Sequence, residues 1–261
     1  MPRAPRRAPR HDHDAGGDAA LLAAKAALRD AVWSDLDRPG IARFPKPTGR
    51  IPNFVGAEAA ARRLAGTDEW ARAATVKSNP DSPQWPVRQR AIEDGKLLYM
   101  AVPRLAEEQP FFLLDPARLD VGARQATSIK GAGTHARTVD VDELEPVDLV
   151  VAGCVAVDRA GARLGKGGGF SDLELAVAAA AGLVDDRTVI VTTVHERQVL
   201  PAGTVPTADH DLHVDLVVTP DRVLRCPRPA GRARPALRWD ELTAEKVAAI
   251  PLLQRLRPRT G

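Results

Sequence analysis

The chain has 261 residues, 44% hydrophobic and 27% charged, an ordinary globular composition with surface enough to bury a sizeable core. At roughly 150 residues per domain it is one large domain or two small ones, and its two cysteines, Cys154 and Cys226, exclude a disulfide scaffold and a cysteine-ligated metal site. The net charge of +3 is concentrated at the ends, with ten Lys/Arg against three acids over 222–261 and four Arg against three Asp over 1–18, so a globally basic nucleic-acid-binding domain is excluded.

Residues 1–17, rich in Pro, Arg and Gly, read as a disordered basic tail. They carry the charge of a signal peptide without its apolar region, and no later run approaches the ~20 apolar residues of a membrane span. A soluble, cytoplasmic protein without a membrane partner is the expectation. Residues 18–225 are expected to form one α/β domain, and 226–261 a basic linker with a C-terminal helix packed on it.

A helix is predicted from Asp18, as N-cap, to about Leu36. At ~100° per residue Leu21, Leu28, Val32 and Leu36 make one apolar stripe, with Lys25 inside it and Arg29 at its edge. Either those stems snorkel along the packed face, or two cations point into an anion site. Residues 39–56 are a proline-rich basic loop. A second helix over 56–73 leads to a short strand at 74–78 and a turn-rich break at 79–86. A helix ending on Gly95 and a strand over 96–105 follow.

The second half opens on DLVVAGCVAVD, residues 148–158, which read as one central strand covered on both faces. A helix over 171–183 has Ser171 as N-cap and Glu174 three residues on, the pattern of a capping box. Strands are predicted at 187–194 and 213–220, and a C-terminal helix over 239–256 broken at Pro251. Strands alternating with helices predict an α/β fold with a mainly parallel sheet.

Chemistry is concentrated in two places. In the first, Gly165, Gly167, Gly168 and Gly169 directly precede a helix start, so successive N–H groups and the helix dipole can face one anion. Arg163 and Lys166 supply charge suited to phosphate oxygens, and Asp172 in the first helical turn is placed to hold Mg²⁺ beside them. A flexible capped hairpin is the plainer alternative. The spacing does not match a P-loop, and Phe170 stands where a dinucleotide fingerprint needs its third glycine. Glu196 after the next strand would suit a ribose. The second place is Asp209-His210-Asp211-Leu212-His213-Val214-Asp215, where Asp211, His213 and Asp215 would share one strand face. Asp211 is read as a second Mg²⁺ ligand. No nucleophile has an activating base in sequence, and Cys154 reads as a small core residue.

These residues resemble the 5-formyltetrahydrofolate cyclo-ligase (5,10-methenyltetrahydrofolate synthetase) family. The matching motifs are Lys25-x-x-x-Arg29, the block from Gly161 through Arg163 and the glycines to Phe170 and Asp172, Gln198-Val199-Leu200-Pro201, and His210-Asp211-x-x-Val214-Asp215. Segments 42–57, 76–84, 87–105, 165–174 and 239–251 are similar to a paralogous branch, the methenyltetrahydrofolate synthase domain-containing type. The resemblance implies a three-layer α/β sandwich with a mainly parallel central sheet and helices on both faces. It implies ATP- and Mg²⁺-dependent closure of 5-formyltetrahydrofolate to 5,10-methenyltetrahydrofolate. Lys25, Arg29, Arg163 and Lys166 would be the catalytic, phosphate-binding cations. Gly165, Gly167, Gly168, Gly169, Phe170 and Asp172 would complete the nucleotide site, and Asp172 and Asp211 the Mg²⁺ site. On this resemblance the cations of the first helix are site residues rather than snorkelling ones.

The chain departs from the parent pattern at Ser171, where a second aromatic is usual, and in VKSNPDSPQ, which has no Glu for the folate-contacting segment. Both departures touch the pterin side. The small-molecule partner is therefore a reduced folate or another heterocycle, possibilities that include one of thiamin salvage. A non-catalytic nucleotide- or RNA-binding module is the remaining alternative, disfavoured because the Arg-rich ends lack interleaved aromatics.

Overall fold

The computed structural model describes residues 13–208, 211–228, 235–239 and 242–257. In chain order the first half forms α1 (His13–Leu36), α2 (Ala57–Ala65), α3 (Asp68–Arg72), β1 (Thr75–Ser78), α4 (Trp85–Glu93), β2 (Leu97–Ala101), β3 (Phe111–Leu114), α5 (Ala123–Ala126), α6 (Ile129–His135) and β4 (Arg137–Val139). The second half forms β5 (Leu149–Val151), β6 (Ala156–Asp158), β7 (Arg163–Leu164), α7 (Phe170–Ala180), β8 (Val189–Thr193), β9 (Val199–Leu200), β10 (Leu216–Val218), β11 (Val223–Arg225), α8 (Ala244–Ala249) and α9 (Pro251–Leu256).

The main sheet has the order β11-β10-β8-β5-β1-β2-β3-β4. Strands β10, β8, β5, β1 and β2 run parallel, and β11, β3 and β4 are antiparallel additions at the two edges. The central strands are short and apolar because both of their faces are covered. Period-2 alternation sorts their side chains between two cores. Leu98, Leu149, Val151, Leu216 and Val218 pack with Leu64 of α2 and Val87 of α4 on one face. Tyr99, Val150 and Val217 pack with Leu175 and Val177 of α7 and Leu252 and Leu253 of α9 on the other. Helices on both faces of a mostly parallel sheet make the α/β fold that the element order predicts, in the three-layer form that the resemblance implies.

A second, three-stranded sheet, β7-β6-β9, packs against α1. Val32, Trp33 and Leu36 of the helix bury against Val155, Ala156 and Leu164. This small sheet corrects the expectation of one strand over 148–158. The run divides after Val151: β5 stays in the main sheet and β6 leaves for the small one. Both halves are buried, so hydrophobicity alone does not mark the break. Gly153 sits in it, with space for a Cβ closed off by Gln84 Oε1 at 2.9 Å and Ile51 at 3.0 Å.

Four smaller corrections concern boundaries. Helix α1 begins at His13 rather than Asp18, so 13–17 belong to it and not to the tail; residues 1–12 and His210 lie outside the described residues. The helix expected over 56–73 divides at Gly66-Thr67, where Thr67 accepts from Trp70 N–H and starts α3 as its N-cap. The strand expected from 213 begins at Leu216. The C-terminal helix starts at Ala244, with Thr243 as its cap, and is interrupted before Pro251 as expected.

Candidate phosphate-binding cleft

The site grows from the N-terminus of α7. Gly169 is the helix N-cap in a left-handed conformation, φ 68°, which a residue with a Cβ adopts only at a cost. This corrects the predicted capping box. The helix starts at Phe170, Ser171 makes no cap hydrogen bond, and Glu174 points inward instead. With no side-chain cap, the first-turn N–H groups of an 11-residue helix are left facing the loop.

Cations arrive at this loop from separate elements. From α1, Lys25 Nζ donates to Asp211 Oδ2 at 2.5 Å, and Arg29 Nε donates to the Gly165 carbonyl at 2.7 Å. The Arg29 guanidinium lies beside Gly167, close enough that a Cβ there would touch it at 3.6 Å. Burial draws the Arg29 pKa below its ordinary value, against the opposing pull of Asp30 and Asp211. From β7, Arg163 is 5% exposed, donates to the Gly153 carbonyl at 2.7 Å and pairs with Asp172. Burial opposes its charge, but the Asp172 carboxylate more than compensates and the Arg163 pKa is raised. Lys166 in the loop pairs with Asp81 at 3.1 Å, across from the tip of β1. Asp172 and Asp211 line one cleft of about 220 Å³, together with Gly169, Leu173 and Ala176.

The acidic cluster before β10 behaves differently from the expected shared face. Asp211 turns toward Lys25, whereas Asp215 is buried on the far side and accepts from Ile190 N–H and the Arg228 guanidinium. His213 Nδ1 lies 3.1 Å from the Asp211 carbonyl, and the residue bridges to Ala162. A strand that starts at Leu216 leaves 211–215 free to turn, so period-2 alternation does not apply to them. Glu196 corrects the ribose reading, because its carboxylate is occupied by Thr219 at 2.5 Å and Arg222 at 2.8 Å. Cys154 is a core residue, its thiol pushed up to about 11 by burial and hydrogen-bonded to Thr192. Among the described residues no group of three or more His, Cys, Asp and Glu forms a metal cluster.

A polar cluster at the end of β1 was missed by local sequence reasoning. Lys77 is in register with Tyr99 and Val150, so it faces α7, where its Nζ meets Glu174 Oε2 at 2.7 Å. Asn79 Nδ2 donates to the same oxygen at 2.8 Å, and Asn79 Oδ1 accepts from Gly153 N–H. Arg88, fully buried, donates to the carbonyls of Asn79, Asp81 and Thr127, and burial pulls its pKa down to about 9. The available signal was a lysine inside an otherwise buried strand. Among the described residues, Gln84 Oε1, Thr193 Oγ1 and Arg163 Nε are buried polar atoms without a hydrogen-bond partner.

The fold is that of an α/β protein, with a glycine loop at a helix N-terminus and cations around it at the rim of a mostly parallel sheet, an arrangement suited to an anion. The 5-formyltetrahydrofolate cyclo-ligase family model matches residues 20–220, and the chain belongs to that family. It is 37% identical over 237 residues to the methenyltetrahydrofolate synthase domain-containing protein of Bos taurus, covering 88% of this chain and 61% of that one. The Mus musculus protein of the same description is 38% identical over 242 residues, covering 90% and 63%. The chain thus spans about three fifths of the length of these curated relatives. The NMR structure of Aquifex aeolicus 5,10-methenyltetrahydrofolate synthetase superposes with a TM-score of 0.51 at 22% identity, over 79% of this chain and 95% of that one. That likeness is one of fold.

Proposed function

We propose that the cleft binds ATP with Mg²⁺ and that the protein closes 5-formyltetrahydrofolate to 5,10-methenyltetrahydrofolate. The observation that carries this reading is the convergence of Lys25, Arg29, Arg163 and Lys166 on one glycine loop and helix N-terminus. Cations from α1, β7 and the loop meeting at an uncapped helix start are suited to a polyphosphate. In the reaction, the terminal phosphoryl group of ATP would pass to the formyl oxygen. N10 would then bond to the formyl carbon and lose its proton as the C–O bond breaks and phosphate leaves.

The residues present fit a magnesium ion. Mg²⁺ beside a nucleotide takes one or two carboxylates plus phosphate oxygens and water. Asp172 and Asp211 supply two carboxylates on one cleft, and Arg163 and Lys25 hold them in place. When bound, the ion would neutralise charge on the transferred phosphoryl group. Lys25 and Arg29 would hold the phosphates, and the backbone from Gly165 to Gly169 would surround them. Catalysis would consist chiefly of positioning and charge neutralisation.

The test is turnover of 5-formyltetrahydrofolate with ATP and Mg²⁺, followed by absorbance of the methenyl product. Product is expected only with ATP, and Lys25→Ala is expected to lower kcat/KM at least ~100-fold, the scale for removing a preorganised charge from a transition-state site. Absence of product from folded protein that binds ATP would overturn the folate assignment and leave the nucleotide site standing. An active Lys25→Ala variant would overturn the assignment of Lys25.

A further inference from the structure

The cleft has a wall that lies outside the family match. Residues 235–238 and Leu242 line it opposite Asp172, Leu173 and Ala176, and so does Lys246 of α8, whereas the family model ends at residue 220. Trp239 and Leu242 pack on the core that holds α7, and Ile250, Leu252 and Leu253 bury in it, so this wall is anchored on both sides of α8. Lys246 Nζ lies 5.7 Å from the Phe170 ring centroid and 3.5 Å from where a Cβ on Gly169 would be. A cation is thereby delivered from the C-terminal segment to the first turn of α7.

Two cations at the loop, Arg29 and Lys246, have no carboxylate partner among the described residues, and Arg29 is engaged by the Gly165 carbonyl. Lys25 is balanced by Asp211, Arg163 by Asp172 and Lys166 by Asp81. Lys246 lies on the face of Phe170, and among the described residues no carboxylate pairs with it. An ammonium on an aromatic ring is weakly held compared with one in an ion pair. Two carboxylates cancel much of the positive charge around the cleft, so an incoming polyanion needs a cation that is not already spent. A half-buried lysine at a helix start without a side-chain cap, with no side chain at Gly169 to block its approach, meets that need.

We propose that Lys246 is a further phosphate-binding residue, and that Pro235–Arg238, Leu242 and Lys246 form the wall at the phosphate end of the cleft. The proposal rests on the nucleotide reading above, and its experiment separates the two. The affinities of ATP·Mg²⁺ and of inorganic tripolyphosphate are measured by calorimetry for the wild-type chain, Lys246→Gln and Lys246→Arg, with melting temperatures alongside. Lys246→Gln is expected to weaken both ligands about tenfold, the loss of one charge-assisted contact. Lys246→Arg is expected to stay within about threefold of wild type, and the melting temperatures to coincide because no ion pair is broken. Wild-type affinity of Lys246→Gln for both ligands would overturn the role of Lys246 while leaving the nucleotide site intact. Failure of the wild-type chain itself to bind either ligand would overturn the nucleotide reading and this proposal with it. Equal weakening in Lys246→Arg, accompanied by a lower melting temperature, would assign Lys246 to the fold and overturn its ligand role.

Discussion

Two polar regions lie within reach of Gly153, and they are built on opposite principles. At the glycine loop the charged groups come from α1, β7 and the segment before β10, pair one cation to one carboxylate and border open space. At the end of β1, Lys77, Asn79, Arg88 and Glu174 are buried and bonded chiefly to one another and to backbone carbonyls. In the first arrangement Asp172 is 49% exposed although its partner Arg163 is buried, so the carboxylate can turn to a ligand or ion at smaller cost. The second cannot, because a buried charge that loses its partner bears the full desolvation penalty. The loop has the character of the proposed binding surface, and the β1 cluster that of a support that holds Gly153 and, through its carbonyl, Arg163.

The largest effect that separates the two regions is expected at the support. Lys77→Met leaves Glu174 buried without its cation and should cost about 3–5 kcal/mol in denaturant unfolding. The double variant Lys77→Met, Glu174→Leu should recover a large part of that loss, since a buried pair replaced by apolar groups is often neutral. If the single variant unfolds like wild type, the contrast between support and binding surface fails.

A smaller effect is expected at the loop. Gly169→Ala forces a Cβ into a left-handed conformation and should cost about 1 kcal/mol of stability. The added methyl group would also stand 3.5 Å from Lys246 Nζ, so ATP affinity should fall together with stability. Unchanged stability would show that the loop does not hold this conformation in solution.

The smallest effect concerns Glu196, which tests whether a paired carboxylate away from both regions behaves as scaffold. Burial favours its neutral form, but hydrogen bonds from Thr219 and Arg222 prevail and hold its pKa below the ordinary glutamate range. A carboxyl whose folded pKa is depressed contributes stability above its unfolded pKa, and that stability is lost as pH falls through the folded value. Glu196→Gln should therefore flatten the decline of stability below about pH 5 and leave Mg²⁺·ATP affinity unchanged. A loss of ATP affinity would return Glu196 to the ligand site.

Much of this molecule was legible before folding is considered. The alternation of helices with apolar runs predicts the mainly parallel α/β sheet, and the glycines ahead of a helix mark the loop that meets its N-terminus. Lys25 and Arg29 stand out because charge inside an apolar stripe needs a reason, and they do reach Asp211 and the Gly165 carbonyl. Pro251 interrupts the C-terminal helix as its missing N–H requires. Each of these signals is local: a period, a cap, a breaker or a charge out of pattern.

What the tertiary structure alone decided is who meets whom. The run 148–158 is uniformly apolar, and only packing shows that its halves serve two different sheets. Glu174 has the spacing of a capping box, yet a lysine 97 residues away claims it, since burial makes that ion pair stronger than a solvated cap. Asp211 and Asp215 look alike in sequence and turn to opposite partners, Lys25 and Arg228. Lys246 reads as an ordinary helix lysine until the chain returns and sets it beside Gly169 and Phe170. Local pattern determines whether a residue is buried and in what element, because those depend on neighbours a few positions away. Partnership depends on chain returns that run from 13 residues, for Asp215 and Arg228, to 186, for Lys25 and Asp211, and no local pattern encodes them.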